Sequence, residues 1–127
     1  MAGTGGERLR CLVARLATVI RVDALWLSTT PLDMRAGTET ILARVVSMFG
    51  EARAHHAYLF TNRRANRLKV LVHDGYGIWL ANRRLNQGRF CWRHGNTSVE
   101  LTRPQFDALV LGLPWERLAD GGVIRIV

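Results

Sequence analysis

The chain has 127 residues and a mass of 14.3 kDa, the size of one ordinary domain with or without a short tail. Hydrophobic residues make up 48% and charged residues 22%, which excludes a disordered or fibrous chain. Two cysteines, Cys11 and Cys91, are too few for a secreted disulfide framework, and no run approaches the ~20 apolar residues of a membrane span. What remains is charge: 18 basic residues against 10 acidic give a net +8, and 17 of the 18 are arginine. That surplus points to an anionic partner, although a GC-rich genome alone also favours arginine codons over lysine.

Residues 1–18 read as an extension ahead of the domain. Its glycine-rich start does not order, and residues 7–18 hold at most one marginal helix, arginine-bearing in the manner of a transit peptide. The preferred reading is a dispensable tail from an upstream start, with Val19, encodable by the start codon GUG, as the first residue needed. Residues 19–127 then form a single α+β domain.

A short strand over Val22–Leu27 comes first, and Pro31 breaks it. Asp33 is the expected N-cap of a helix over 36–49, where Ile41, Leu42, Val45, Val46 and Phe49 share one face. Gly50 is placed to end it. Four strand-like runs follow. Ala57–Phe60 leads into the polar loop Asn62–Asn66. Arg67–His73 puts Leu68, Val70 and Val72 on one face and Lys69, Leu71 and His73 on the other. Asp74-Gly75 is a hairpin signal, Gly77–Arg84 the returning strand, and Arg89–Arg93 the fourth run. Short turns throughout predict an antiparallel β-meander of four to six strands carrying two main α-helices. The second helix starts with a full capping box, Thr102 as N-cap and Gln105 at N3. Leu101 and Phe106 take the staple positions, and Gly112-Leu113-Pro114 ends the helix. Val123–Val127 is a candidate last strand.

The charge is unevenly spread. Arg63, Arg64, Arg67, Lys69, Arg83, Arg84, Arg89 and Arg93 fall within 31 residues that hold one acid, Asp74. Tyr76, Trp79, Phe90 and Trp92 are interleaved with them. Arginines contact phosphates and base edges while rings stack, so this is the pattern of a nucleic-acid surface. Most of the rings are nevertheless expected in the core, because they alternate as strand-core positions do.

Catalytic and metal-binding patterns are weak. Cys91-Trp92-Arg93-His94 offers one C-x-x-H pair without a second, and Cys91 reads as a small buried side chain. His55-His56 reads as a solvated approach to a strand. The acids Asp23, Asp33, Glu39, Asp74 and Asp107 are scattered, with cap, turn and helix-surface roles available. No phosphate-binding loop or nucleophile elbow occurs. The expectation is a non-enzymatic protein that needs no cofactor or metal.

Several motifs occur in order: Pro31-Leu32-Asp33-Met34-Arg35-Ala36-Gly37, residues 57–64 (AYLFTNRR), Leu68-Lys69-Val70-Leu71, residues 74–80 (DGYGIWL) and residues 84–92 (RLNQGRFCW). Over residues 19–127 the chain strongly resembles the TnpB accessory proteins of the IS-sixty-six family of bacterial insertion sequences, which are distinct from the RNA-guided nuclease of the same name. The matching positions are Asp33, Met34, Arg35, Gly37, Lys69, Gly77, Trp79, Leu80, Arg84, Gly88, Phe90 and Trp92. The resemblance implies a role in transposition beside a catalytic transposase and a second accessory protein, in the cytoplasm, but fixes no biochemical activity. Asp33, Arg35, Trp79 and Trp92 are the candidate functional motif. An arginine at position 35 in a first helical turn opposes the helix dipole unless an acid or a bound anion compensates it.

Two functions remain open. In the first, the eight basic residues bind DNA, expected at insertion-sequence ends, through a single basic face. In the second, the same arginines meet an acidic transposase while Trp79 or Trp92 anchors the interface, an arrangement whose apolar patch also allows a homodimer. A nuclease with unassembled carboxylates is the weaker third.

Overall fold

A computed structural model describes residues 21–93, 95 and 98–118. In chain order these form β1 (Ala24–Ser28), α1 (Thr38–Phe49), β2 (His56–Thr61), β3 (Arg67–His73), β4 (Ile78–Arg84), β5 (Ser98–Leu101) and α2 (Arg103–Val110), followed by a 3-10 turn at Trp115–Arg117. One five-stranded sheet has the order β4-β3-β2-β1-β5. The extension, Val19 and the candidate strand Val123–Val127 lie outside the described residues.

The α+β composition is as expected, but the sheet is mixed. β2, β3 and β4 form the antiparallel meander, whereas β1 pairs parallel to β2, with Leu25 opposite Ala57 and Leu27 opposite Leu59. Parallel neighbours require a crossover of about a dozen residues, and α1 with its flanking loops is that crossover. The fourth run, Arg89–Arg93, is not a strand. Phe90 is buried and its N–H donates to Ala65 O, while Trp92 Nε1 donates to Ser28 O at 2.9 Å. These contacts hold the segment as coil. The fifth strand is instead β5, absent from the expected strands, which pairs antiparallel with β1 at the edge of the sheet opposite β4.

A helix covers each face of the sheet. Leu68, Val70 and Val72 of β3 join Leu25, Leu27, Ala57 and Leu59 against Leu109 of α2 and Trp115. On the opposite face, Leu71, Tyr58 and Phe60 pack on Ile41 and Val45 of α1. Full burial of a side chain such as Ile41 contributes roughly 1.5–3 kcal/mol. The α1 stripe is narrower than its periodicity suggested, since Val46 is 47% exposed at the edge of the packed face.

The ends of α2 follow the sequence signals. Thr102 Oγ1 accepts from Gln105 N and Gln105 Oε1 accepts from Thr102 N, which closes the capping box. α1 differs: it starts at Thr38 after Gly37, which gives no side-chain cap, and Gly50 ends it at φ +87°. Asp33 sits too far upstream to cap it. Its Oδ1 instead accepts from Arg35 N at 2.9 Å, while Ala36 N donates to Asp33 O, the self-closing turn open to a short acidic side chain.

Candidate nucleic-acid interface

The Asn62–Asn66 loop is held by one side chain. Asn62 Nδ2 donates to Asn66 Oδ1 at 2.7 Å, and Asn62 Oδ1 accepts from the N–H groups of Asn66 and Arg67. Ala65 points inward at φ +54° and is buried, so Arg63 and Arg64 are left exposed at the tip. Beside this loop runs the segment after β1. Leu32 is buried and its N–H donates to Thr61 O, which fixes Asp33 and Arg35 outward.

The two segments enclose a cleft of about 790 Å³ lined by Pro31, Leu32, Asp33, Met34, Arg35, Asn62, Arg63, Arg64 and Arg67. A second lobe of about 450 Å³ shares Met34 and Arg67 with it and adds Leu68, Lys69, Asn82, Arg83 and Arg84. Seven cationic residues and one carboxylate therefore line a continuous groove. Such a concentration of one sign raises the local potential and draws in polyanions.

That carboxylate is already spoken for. Arg35 Nε donates to both Asp33 oxygens at 3.1 and 3.2 Å, and its Nη2 to Oδ2 at 2.8 Å. The Arg35 side chain, then its backbone N–H, lowers the Asp33 pKa to about 2, and the same bond pushes the Arg35 pKa up. The acid demanded by an arginine at position 35 is thus Asp33 itself, and because α1 starts only at Thr38 the dipole conflict does not arise. The Arg63, Arg64, Arg67 and Arg84 side chains form no ion pair or hydrogen bond among the described residues. Lys69 Nζ spends one of its donors on Ala36 O at 2.8 Å.

The eight basic candidates are divided by the fold. Arg63, Arg64, Arg67, Lys69 and Arg84 meet along the groove. Arg83 borders it, but the register places its side chain opposite Leu68 on the α2 face, where Nε donates to Val110 O. Arg89 lines neither lobe, and Arg93 pairs with Glu116 at 3.1 Å. Strand alternation accounts for this split, since consecutive arginines on β4 face opposite ways.

The rings divide as well. Phe90 is buried and Trp92 packs half-buried on the core beside α2. Tyr76 is fully exposed and Trp79 is 43% exposed, contrary to the expected core placement. The turn explains this: Asp74 Oδ1 accepts from Tyr76 N and Gly77 N while Oδ2 accepts from Trp79 Nε1 at 2.8 Å, which holds the indole at the surface. Those same donors lower the Asp74 pKa. Both rings lie at the far end of β4 from Arg84.

The remaining candidates carry little chemistry. Cys91 is exposed rather than buried, with its thiol 3.8 Å from Gly112 O, and His94 lies outside the described residues. His55 and His56 are not a solvated approach. His55 Nδ1 is buried without a partner among the described residues, and His56 Nδ1 accepts from Trp26 Nε1 at 3.0 Å. Among the described residues no three His, Cys, Asp or Glu side chains stand close enough to hold a metal, and no helix is long and apolar enough to cross a membrane. Met34, Asn62 and Asn82 were missed as groove residues. The matched pair Asn62 and Asn66 flanking two arginines was the available signal for the loop.

The chain is 29% identical over 93 residues to the uncharacterized protein y4hO of Sinorhizobium fredii, which spans 72% of this chain and 81% of that one. It is 27% identical over 96 residues to the uncharacterized protein y4jC of the same organism, spanning 74% and 82%. No solved structure matches. The family described as IS66 Orf2 like protein matches residues 23–120, which takes in the whole described sheet, both helices and every residue of the groove. The chain belongs to the IS66 Orf2-like family, an accessory protein of the insertion element rather than its catalytic transposase.

Proposed function

We propose that this protein is a non-catalytic DNA-binding accessory protein of transposition, which grips the DNA backbone in its arginine-lined groove. One observation carries the reading: five cations without an ion pair among the described residues, Arg63, Arg64, Arg67, Lys69 and Arg84, meet along the groove, and its one acid is bound internally to Arg35. Like charges held together with nothing to neutralise them cost the free protein stability, and a phosphate backbone supplies the missing counter-charge. Most of the described carboxylates have structural partners, since Asp23, Asp33, Glu51, Asp107 and Glu116 are each paired with an arginine and Asp74 is committed to its turn, and no three acids or other ligand residues cluster among the described residues, which supports a non-catalytic role. The element's ends are the expected DNA, with the catalytic transposase and the second accessory protein as companions.

A second reading, docking onto the transposase without DNA, is favoured by the exposed Tyr76 and Trp79 at the β3–β4 turn and by Leu111, which is 61% exposed after α2. Fluorescence anisotropy with labelled duplex DNA at low salt separates the two. Binding that weakens steeply as salt rises supports the groove, whereas no binding at low salt ends that reading and makes the transposase the partner to test.

A further inference from the structure

The groove has two amide side chains, and the structure uses only one of them. Asn62 is spent on bracing its own loop through three hydrogen bonds. Asn82 is exposed, and its amide makes no hydrogen bond among the described residues. It stands directly opposite Lys69 in the register, with Arg67 opposite Arg84 two residues along, so the four side chains share one face of the β3–β4 ribbon. Three of them are cations. A cation bound to phosphate carries no sequence information, whereas an amide offers a donor and an acceptor side by side.

The ribbon has the shape for that task. β4 is the outermost strand of the sheet, and residues 81–84 are exposed. β4 with β3 is the outer strand pair of the sheet, and the major groove of B-DNA admits a pair of strands. Same-face residues two apart on a strand are ~6.6 Å apart, close to two base-pair rises of ~3.4 Å, so neighbouring positions on β4 fall in step with the bases. No aromatic ring lines either lobe, so stacking on unpaired bases is not what this surface offers.

On the reading of the groove as a DNA site, we propose that Asn82 reads a base edge in the major groove of duplex DNA while Arg67, Lys69 and Arg84 around it hold the backbone. Adenine is the base it selects, because N7 and the N6 amino group present the acceptor and donor that an asparagine amide complements in a bidentate pair.

The test is fluorescence anisotropy with three 20-base-pair duplexes: A·T-rich, G·C-rich, and the A·T-rich sequence carrying 7-deazaadenine, which keeps base pairing but lacks N7. The wild-type protein is expected to favour the A·T duplex by about 5- to 150-fold, the range of one bidentate pair, and to lose most of that preference on the 7-deaza duplex. The Asn82→Ala variant, with its fold checked by circular dichroism, is expected to bind all three alike with an unchanged salt slope. The Arg63→Ala/Arg64→Ala variant is the converse control: its slope falls by about two while the preference remains. Equal wild-type affinity for the A·T and G·C duplexes, or a preference that survives in Asn82→Ala, overturns the assignment of Asn82. Failure of the wild-type protein to bind any duplex at low salt overturns the groove itself, which is a separate result.

Discussion

Replacing Arg63, Arg64 and Arg67 with alanine gives the proposed function its quantitative form. All three side chains are exposed and unpaired among the described residues, so their loss removes charge without opening a cavity. With Arg84 and Lys69 they make five cations placed to meet phosphate along the groove. Each neutralised phosphate steepens the fall of log affinity with log salt by about 0.9, so five give a slope near −4.5. Between 50 and 200 mM salt the wild-type protein should then lose about 500-fold in affinity. The triple variant keeps two contacts, a slope near −1.8, and about a 12-fold loss over the same interval. Anisotropy titrations of a labelled duplex at four or five salt concentrations measure both slopes. A triple variant whose slope equals the wild type would refute the reasoning, because the DNA would then lie elsewhere on the molecule.

Asp33→Asn should tighten DNA binding and steepen the slope by about 0.9, because it frees Arg35 for phosphate; an unchanged slope in the same titration means Arg35 stays out of reach. The Asp33 carboxylate has its pKa depressed from 3.8 to about 2. Its contribution is therefore fully present above the unfolded value and fades only as pH falls through about 2, so the Asp33–Arg35 contact should add no pH dependence to DNA binding between pH 5 and 8. Thr102→Ala should cost roughly 1 kcal/mol by opening the capping box and lower the melting temperature by about 4–8 °C, read by a thermal melt. Ile41→Ala, at a fully buried α1 position, should cost about 2–5 kcal/mol in denaturant titration, whereas Val46→Ala on the exposed edge of the same helix should stay within about 0.5 kcal/mol of wild type.

What the sequence disclosed, and what it withheld, follows from the range of each interaction. The α2 capping box, the Asp74-Gly75 turn and the alternation of β3 are local: a few neighbouring residues determine them, and the structure has each where the pattern put it. Strand partners are not local. The pairing of β1 with β2 and β5 depends on a crossover and on a return across some seventy residues, for which neither hydrophobic period nor turn chemistry has a signature. The same limit explains Arg89–Arg93. Its alternating rings look like a strand, yet Phe90 is buried and Trp92 half-buried, held by hydrogen bonds to Ala65 and Ser28 far off in the chain.

The groove illustrates the same division and adds a second signal. The run of cations was plain in the sequence, but alternation sends Arg83 and Arg84 to opposite faces, and a distant acid, Glu116, takes Arg93. Arg35, forty-nine residues from Arg84, comes to the same groove only through the segment after β1. What marked that segment in advance was a conflict: an expected cap, Asp33, well suited to opening a helix, and within the same short motif an arginine that opposes the helix dipole. The structure resolves it by starting α1 at Thr38 and leaving Asp33 to hold Arg35 at the groove's rim. Local rules that disagree tend to do so where something other than folding is being served, and here the disagreement falls at the edge of the most strongly charged surface described.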